Sequence, residues 1–198
     1  AYIETFKKGL LSEKIEKAYE ILKSCTLCPR TCNVDRLSGE TGICKTGRRA
    51  WVSSYGPHFG EEKPLVGIQG SGTIFFTHCS LRCVFCINHE ISKEGEGRPT
   101  SVKELASMML SLQDRGCHNL NIVTPTHYAP HLLLALDVAA GLGLQLPLVY
   151  NTGGYDAVET LRLLDGFDLG VVLGGAAAGW LRKRVGAQPG AGRPRRTG

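Results

Sequence analysis

No stretch of about 18 consecutive apolar residues occurs in this chain of 198, so a membrane-spanning helix is not expected. The N-terminus carries Glu4, Lys7, Lys8 and Glu13 where a secretory leader needs an apolar run, so no export signal is expected either. A Ser/His/Asp pattern and paired catalytic carboxylates are both missing. The glycine-rich GIQGSGT at 67–73 lacks the Lys-Ser/Thr ending of a phosphate loop and precedes a strand pattern, not a helix. A net basic body is missing too. The formal charge is +5, but residues 170–198 hold five Arg, one Lys and no acid, leaving 17 basic and 18 acidic side chains in residues 1–169. A body at −1 has nothing to attract nucleic acid. With 42% apolar and 21% charged residues the chain is neither disordered nor membrane-bound, and its length suits one domain with a small appendage.

Cysteine is abundant: eight residues. Without an export signal the expected compartment is the cytoplasm, where thiols stay reduced and metal is a better explanation than disulfides.

Residues 7–23 space Leu10, Leu11, Ile15, Ala18, Ile21 and Leu22 as an amphipathic helix of about four turns. Residues 45–72 are punctuated by glycine and proline and read as loop. Thereafter strands and helices alternate. Strands are expected at 73–77, 119–123, 146–150 and 167–173, and helices at 100–115, 130–140 and 156–164. Short links between them imply right-handed βαβ units and a parallel sheet with its site at the C-terminal strand ends. The last 29 residues, rich in Gly, Ala and Arg, read as disordered or out of frame.

Cys79, Cys83 and Cys86 form C-x3-C-x2-C immediately beyond the first of these strands. Three thiolates in eight residues can wrap one face of an iron–sulfur cluster, leaving one of four irons open to an outside ligand. The competing reading is a zinc site completed by His78 or His89. Cys25, Cys28, Cys32 and Cys44, spaced C-x2-C-x3-C-x11-C, suit a closed four-coordinate site for zinc or an auxiliary iron–sulfur cluster. Cys117 stands alone and reads as a small packed hydrophobe. His58, Glu61 and Glu62 read first as a solvated loop and second as substrate-binding groups, and His127 and His131 as helix-start histidines.

CSLRCVFC, with Phe85 directly before its last cysteine and TIFFT before the motif, resembles the signature of the radical S-adenosylmethionine (SAM) superfamily. GSGTIFFTHCSLRCVFCINHEIS, NIVTPTHYAP and VYNTGGYDAVETLRLLDG are similar to its pyruvate formate-lyase activating enzyme-like subgroup, the relatives of glycyl-radical-enzyme activases. The resemblance spans about residues 25–169. It implies a 4Fe-4S cluster on Cys79, Cys83 and Cys86, with SAM on the open iron and Phe85 and Asn88 near its adenosine. It also implies SAM contacts from Thr124 and Thr126, in a TPTH segment standing where many members have a Gly-Gly-Glu turn, and from Asn151 and Thr152. Ile87 departs from an expected Gln.

The expected fold is therefore α/β: a partial TIM-like (β/α) barrel, truncated after three to four β/α units, behind an N-terminal helix and cysteine-rich metal-binding segment. The expected division is 1–60 for that segment, 61–173 for the incomplete barrel and 174–198 for the basic tail. The expected function is reductive cleavage of SAM to a 5′-deoxyadenosyl radical for hydrogen abstraction. An electron donor of flavodoxin or ferredoxin type and a protein or peptide substrate would be the partners, with no nucleic acid or membrane. The alternative is a catalytically incompetent iron–sulfur or metal-binding protein. A zinc-dependent nucleic-acid binder is disfavoured by the neutral body.

Overall fold

The computed structural model describes residues 2–165 in full, together with the backbone of 169–172 and 179–181. Seven strands form one sheet in the order β3-β1-β2-β4-β5-β6-β7. They are β1 (Ala50–His58), β2 (Ser71–Phe76), β3 (Arg98–Thr100), β4 (Leu120–Val123), β5 (Leu148–Thr152), β6 (Leu169–Val172) and β7 (Gly179–Leu181). β2, β4, β5 and β6 are parallel, in chain order.

This corrects the expected partial TIM-like barrel. The sheet is open and mixed. β1 folds back antiparallel on β2, pairing Val52 with Phe76 and His58 with Ser71, and so occupies the edge on which another parallel strand would have to dock. β3 extends that antiparallel flank, and β7 lies antiparallel on β6 at the far side. The parallel β/α repeat is thus bounded by antiparallel strands on both sides.

Alternation along the parallel strands explains the core. Ile74 and Phe76 of β2, Leu120 and Ile122 of β4 and Leu148 and Tyr150 of β5 are buried in one apolar cluster. The helices α4 (Val102–Asp114) and α5 (Ala129–Gly141) supply Leu105, Met109 and Leu112, and Leu132 and Leu136, to that same cluster. Each such side chain, taken fully out of water, contributes roughly 1.5–3 kcal/mol. Residues of the other parity, Thr73, Asn121 and Asn151, are buried yet polar. There Val149 packs with Leu65 of the short helix α3 (Lys63–Val66) in a separate small cluster. The sheet therefore has an apolar helix-covered face and a polar face.

α4 starts at a capping box. The Ser101 hydroxyl accepts from the Glu104 N–H at 3.2 Å, and the Glu104 carboxylate accepts from the Ser101 N–H at 2.8 Å. Its hydrogen bond from Arg98, reinforced by those from Ser101, holds the Glu104 carboxyl down at about 2. The helix expected over 7–23 is α2 (Leu10–Ile21); a short additional helix, α1 (Tyr2–Lys7), precedes it, separated where Gly9 adopts φ 69°. The chain resumes at the short helix α6 (Val158–Leu163) after β5. Residues 45–72, expected as loop, carry β1 and α3. The tail 174–198 lies outside the described residues apart from the backbone of β7. Among the described residues no helix is long and apolar enough to cross a membrane.

Candidate functional site

The parallel strands β2, β4 and β5 end side by side, and three segments leaving those ends meet there. The first, leaving β2, is the loop with Cys79, Cys83 and Cys86, all half-buried. Burial raises the Cys79 thiol above its ordinary range; the Arg82 and Leu81 N–H groups oppose this, and Cys83 and Cys86 stand close enough to add to it. The Ser92 hydroxyl, from the π-helical turn Glu90–Glu94, donates to Cys86 Sγ at 3.2 Å. The loop tip is apolar and bare: Val84, Phe85 and Ile87 are 90%, 71% and 90% exposed. Asn88 is also exposed, so neither Phe85 nor Asn88 is part of the core.

Neither neighbouring histidine completes a four-ligand set with these thiols. His78 lies against Trp51, with ring centroids 6.3 Å apart; its backbone N–H donates to the Ile91 carbonyl, while its ring Nδ1 is buried without a hydrogen-bond partner among the described residues. His89 Nδ1 stands 3.2 Å from the Glu90 carboxylate.

The second segment follows β4. Thr124 takes φ 48°, and its N–H donates to the Asn151 carbonyl at 2.6 Å, tying the ends of β4 and β5 together. The third is the end of β5. Asn151 and Thr152, expected to end the third strand and point into the site, are the last two residues of β5, and alternation sends their side chains to opposite faces. Asn151 shares the polar face with Asn121 and Thr73, whereas Thr152 joins a hydroxyl network. There the Asp156 carboxylate accepts from Thr152 Oγ1 at 2.6 Å, from Tyr150 OH at 2.7 Å and from Thr126 Oγ1. Burial, with the Asp156 charge adding, pushes the Tyr150 hydroxyl well above its ordinary value, so it remains a donor. Sequence reasoning missed Asp156 and Tyr150. Their only signal was a Tyr and an Asp bracketing the expected Asn151 and Thr152.

Glu61 also departs from expectation. Its side chain is 10% exposed, 3.3 Å from His58 Nδ1, and burial raises its carboxyl while His58 and Asn121 oppose the rise. It belongs to the polar face of the sheet, not to a solvated loop. His127, read as a helix-start histidine, lies in the turn directly before α5 and is a structural joint. Its Nε2 contacts the Thr77 carbonyl at 3.0 Å, and burial pushes its pKa down to about 3. Cys117 is buried in the core.

The four remaining cysteines lie in the segment between α2 and β1. Two tight turns carry it: the Thr31 N–H returns to the Cys28 carbonyl and the Lys45 N–H to that of Gly42. Gly42 has to be glycine, because a Cβ there would stand 2.8 Å from Cys32 Sγ. Cys25, Cys28 and Cys44 are buried and Cys32 half-buried. This segment grips the three-cysteine loop. Arg30 Nε donates to the Ser80 carbonyl at 2.6 Å and Nη2 to that of Leu81 at 3.2 Å, while Arg82 Nη1 reaches back to the Ile43 carbonyl at 3.4 Å.

Among the described residues no set of three or more His, Cys, Asp or Glu side chains is already gathered to hold one metal ion. The expected metal-binding segment is thus not a preassembled centre, and neither is the three-cysteine loop.

No protein-family profile matches the chain, and no solved structure does. An uncharacterized protein of Methanocaldococcus jannaschii is similar: 36% identical over 173 residues, covering 83% of this chain and 48% of that protein. The chain spans about half the length of this curated relative.

Proposed function

We propose that this chain is a radical SAM iron–sulfur protein acting at the C-terminal ends of β2, β4 and β5. The observation that carries the reading is the loop after β2: three half-buried thiols within eight residues, just beyond the end of a parallel strand, with the His78 ring packed on Trp51 and His89 facing Glu90. That donor set fits a 4Fe-4S cluster with one iron left for an outside ligand. Such a cluster, with SAM bound, would supply the single electron that cleaves the sulfonium to methionine and a 5′-deoxyadenosyl radical able to take a hydrogen atom from the substrate.

The chain's own groups hold, orient and exclude. Cys79, Cys83 and Cys86 hold the cluster, and the Ser92 hydroxyl fixes the Cys86 sulfur. Asn151 offers a side-chain amide on the polar face of β5. Thr126 and Thr152, locked on Asp156, form a rigid wall and contribute no free hydroxyl proton to the cofactor. The Thr124 N–H is likewise committed, leaving its hydroxyl for SAM. Phe85 and Asn88 stand on the exposed loop, free to fold over the adenosine. Val84, Phe85 and Ile87 together give an apolar tip suited to a protein or peptide substrate, with a low-potential flavodoxin or ferredoxin as electron donor in the reducing cytoplasm.

The test is 5′-deoxyadenosine formation from SAM by the anaerobically reconstituted, dithionite-reduced chain. Stoichiometric or catalytic release supports the reading. Bound iron and sulfide with no release replaces it with the alternative of a metal-binding protein that lacks a complete SAM site.

A further inference from the structure

We infer that Cys25, Cys28, Cys32 and Cys44 close around a single divalent metal ion, whose tetrathiolate charge is partly offset by the buried guanidinium of Arg36. This inference is independent of the three-cysteine loop and of any SAM chemistry.

It starts from Arg36, the largest side chain fully withdrawn from solvent, at 0% exposed. Its hydrogen bonds are met by neutral carbonyls: Nε and Nη2 donate to Gly47 O at 3.2 and 3.1 Å, and Nη1 to His127 O at 2.7 Å. Its charge is not met. Among the described residues no carboxylate forms an ion pair with it. A buried cation without an anion is costly, and folded proteins avoid it by pairing or metal chemistry.

The one sulfur in reach of the guanidinium is Cys25, with Nη1 4.0 Å from its Sγ. Cys25, Cys28, Cys32 and Cys44 line one small cavity together with Arg36 and His127. Neutral thiols leave Arg36 unbalanced, and four free thiolates would repel one another. Four thiolates on a divalent cation carry −2 in all, which gives Arg36 an anionic neighbour while the metal screens the thiolates from one another.

The cavity that these thiols line with Arg36 and His127 is small, about 10 Å³. Binding would draw the thiols inward from its wall. Four enclosed thiolates point to zinc.

The experiment uses the full chain carrying Cys79→Ser, Cys83→Ser and Cys86→Ser, titrated anaerobically with Co²⁺ alone. The expected result is one equivalent bound, with thiolate-to-cobalt charge transfer and the intense visible bands of tetrahedral cobalt, all displaced by Zn²⁺. Adding Cys28→Ser abolishes those bands. Loss of the Arg36 charge in Arg36→Gln weakens binding by about 10–100-fold, the usual range for an outer-shell partner, and Arg36→Lys restores most of it. Far-UV circular dichroism accompanies each variant. If Arg36→Gln fails to fold, Arg36→Lys decides the charge argument: near-parental affinity supports it, and a tenfold loss overturns it. The metal site itself is overturned by absence of the charge-transfer band in the triple-serine chain, by its persistence after Cys28→Ser, or by iron with sulfide in place of one zinc. Each result leaves the SAM-cleavage assay untouched, so the two proposals fail separately.

Discussion

Two groups of cysteines lie within reach of one another and are built on opposite plans. The loop at 79–86 leaves its thiols half-buried beneath an apolar tip that is almost wholly exposed, and it stands where three parallel strands end. The segment at 25–44 buries three of its four thiols around a small cavity, beside a buried cation and below two tight turns. Three donors with open access suit a centre that must admit a second ligand; four enclosed donors suit one that must not. The two are joined by Arg30 and Arg82, each donating to backbone carbonyls of the other's segment. The difference teaches that cysteine count alone separates reactive from structural sites poorly, whereas access and compensating charge separate them well.

The comparison breaks most completely at Cys83. Cys83→Ala is expected to abolish 5′-deoxyadenosine formation while leaving the metal of the 25–44 segment in place, both read on one anaerobic preparation by chromatography and elemental analysis. Next in size is Asp156→Ala, which strips three hydroxyls of their shared acceptor. Unfolding in urea should show a loss of about 2–4 kcal/mol, since hydrogen bonds to a charged group contribute roughly 1.5–3 kcal/mol each and neighbouring losses do not add fully. SAM cleavage should fall with it, because the wall at the ends of β4 and β5 loosens. Ser92→Ala sharpens the comparison more gently. It removes one hydrogen bond to the Cys86 sulfur, about 1 kcal/mol, so the reduction potential of the 79–86 centre should move while cobalt binding at 25–44 stays unchanged. The smallest effect is expected at a place belonging to neither site. Ser101→Ala costs about 1 kcal/mol through the lost cap of α4. The Glu104 half of that box is pH-dependent. Its folded carboxyl, held near 2, lies below the ordinary 4.5, so its contribution is complete above about 4.5 and fades as pH falls towards 2. The stability gap between the native chain and Glu104→Gln, followed from pH 6 to 2.5, should close over that window. A gap that widens in acid would contradict it.

Most of the α/β half was legible from periodicity. β2, β4, α4 and α5 lie within two or three residues of where apolar spacing puts them. The antiparallel flank was not legible. β1 carries Gly56 and Pro57 inside the strand and shifts register between Val52 and Ser54, so neither composition nor alternation marks it. Missing β1 turned an open mixed sheet into an expected barrel segment. At the site, the cysteine positions follow from spacing, but the use of Thr126 and Thr152 does not. Both hydroxyls are spoken for by Asp156, a residue that only the turn after β5 brings beneath them. Arg36 is invisible in a sequence where arginines are common; what singles it out is complete burial without a carboxylate.

The 79–86 loop is proposed to hold a cluster open to SAM. Its most direct test is the EPR spectrum of the anaerobically reconstituted, dithionite-reduced chain with and without SAM, set beside the Cys83→Ala chain. The expected result is a 4Fe-4S signal in the native chain that changes in shape and g values when SAM is added, and that is missing from Cys83→Ala. A cluster signal indifferent to SAM, or one that survives the loss of Cys83, would contradict it.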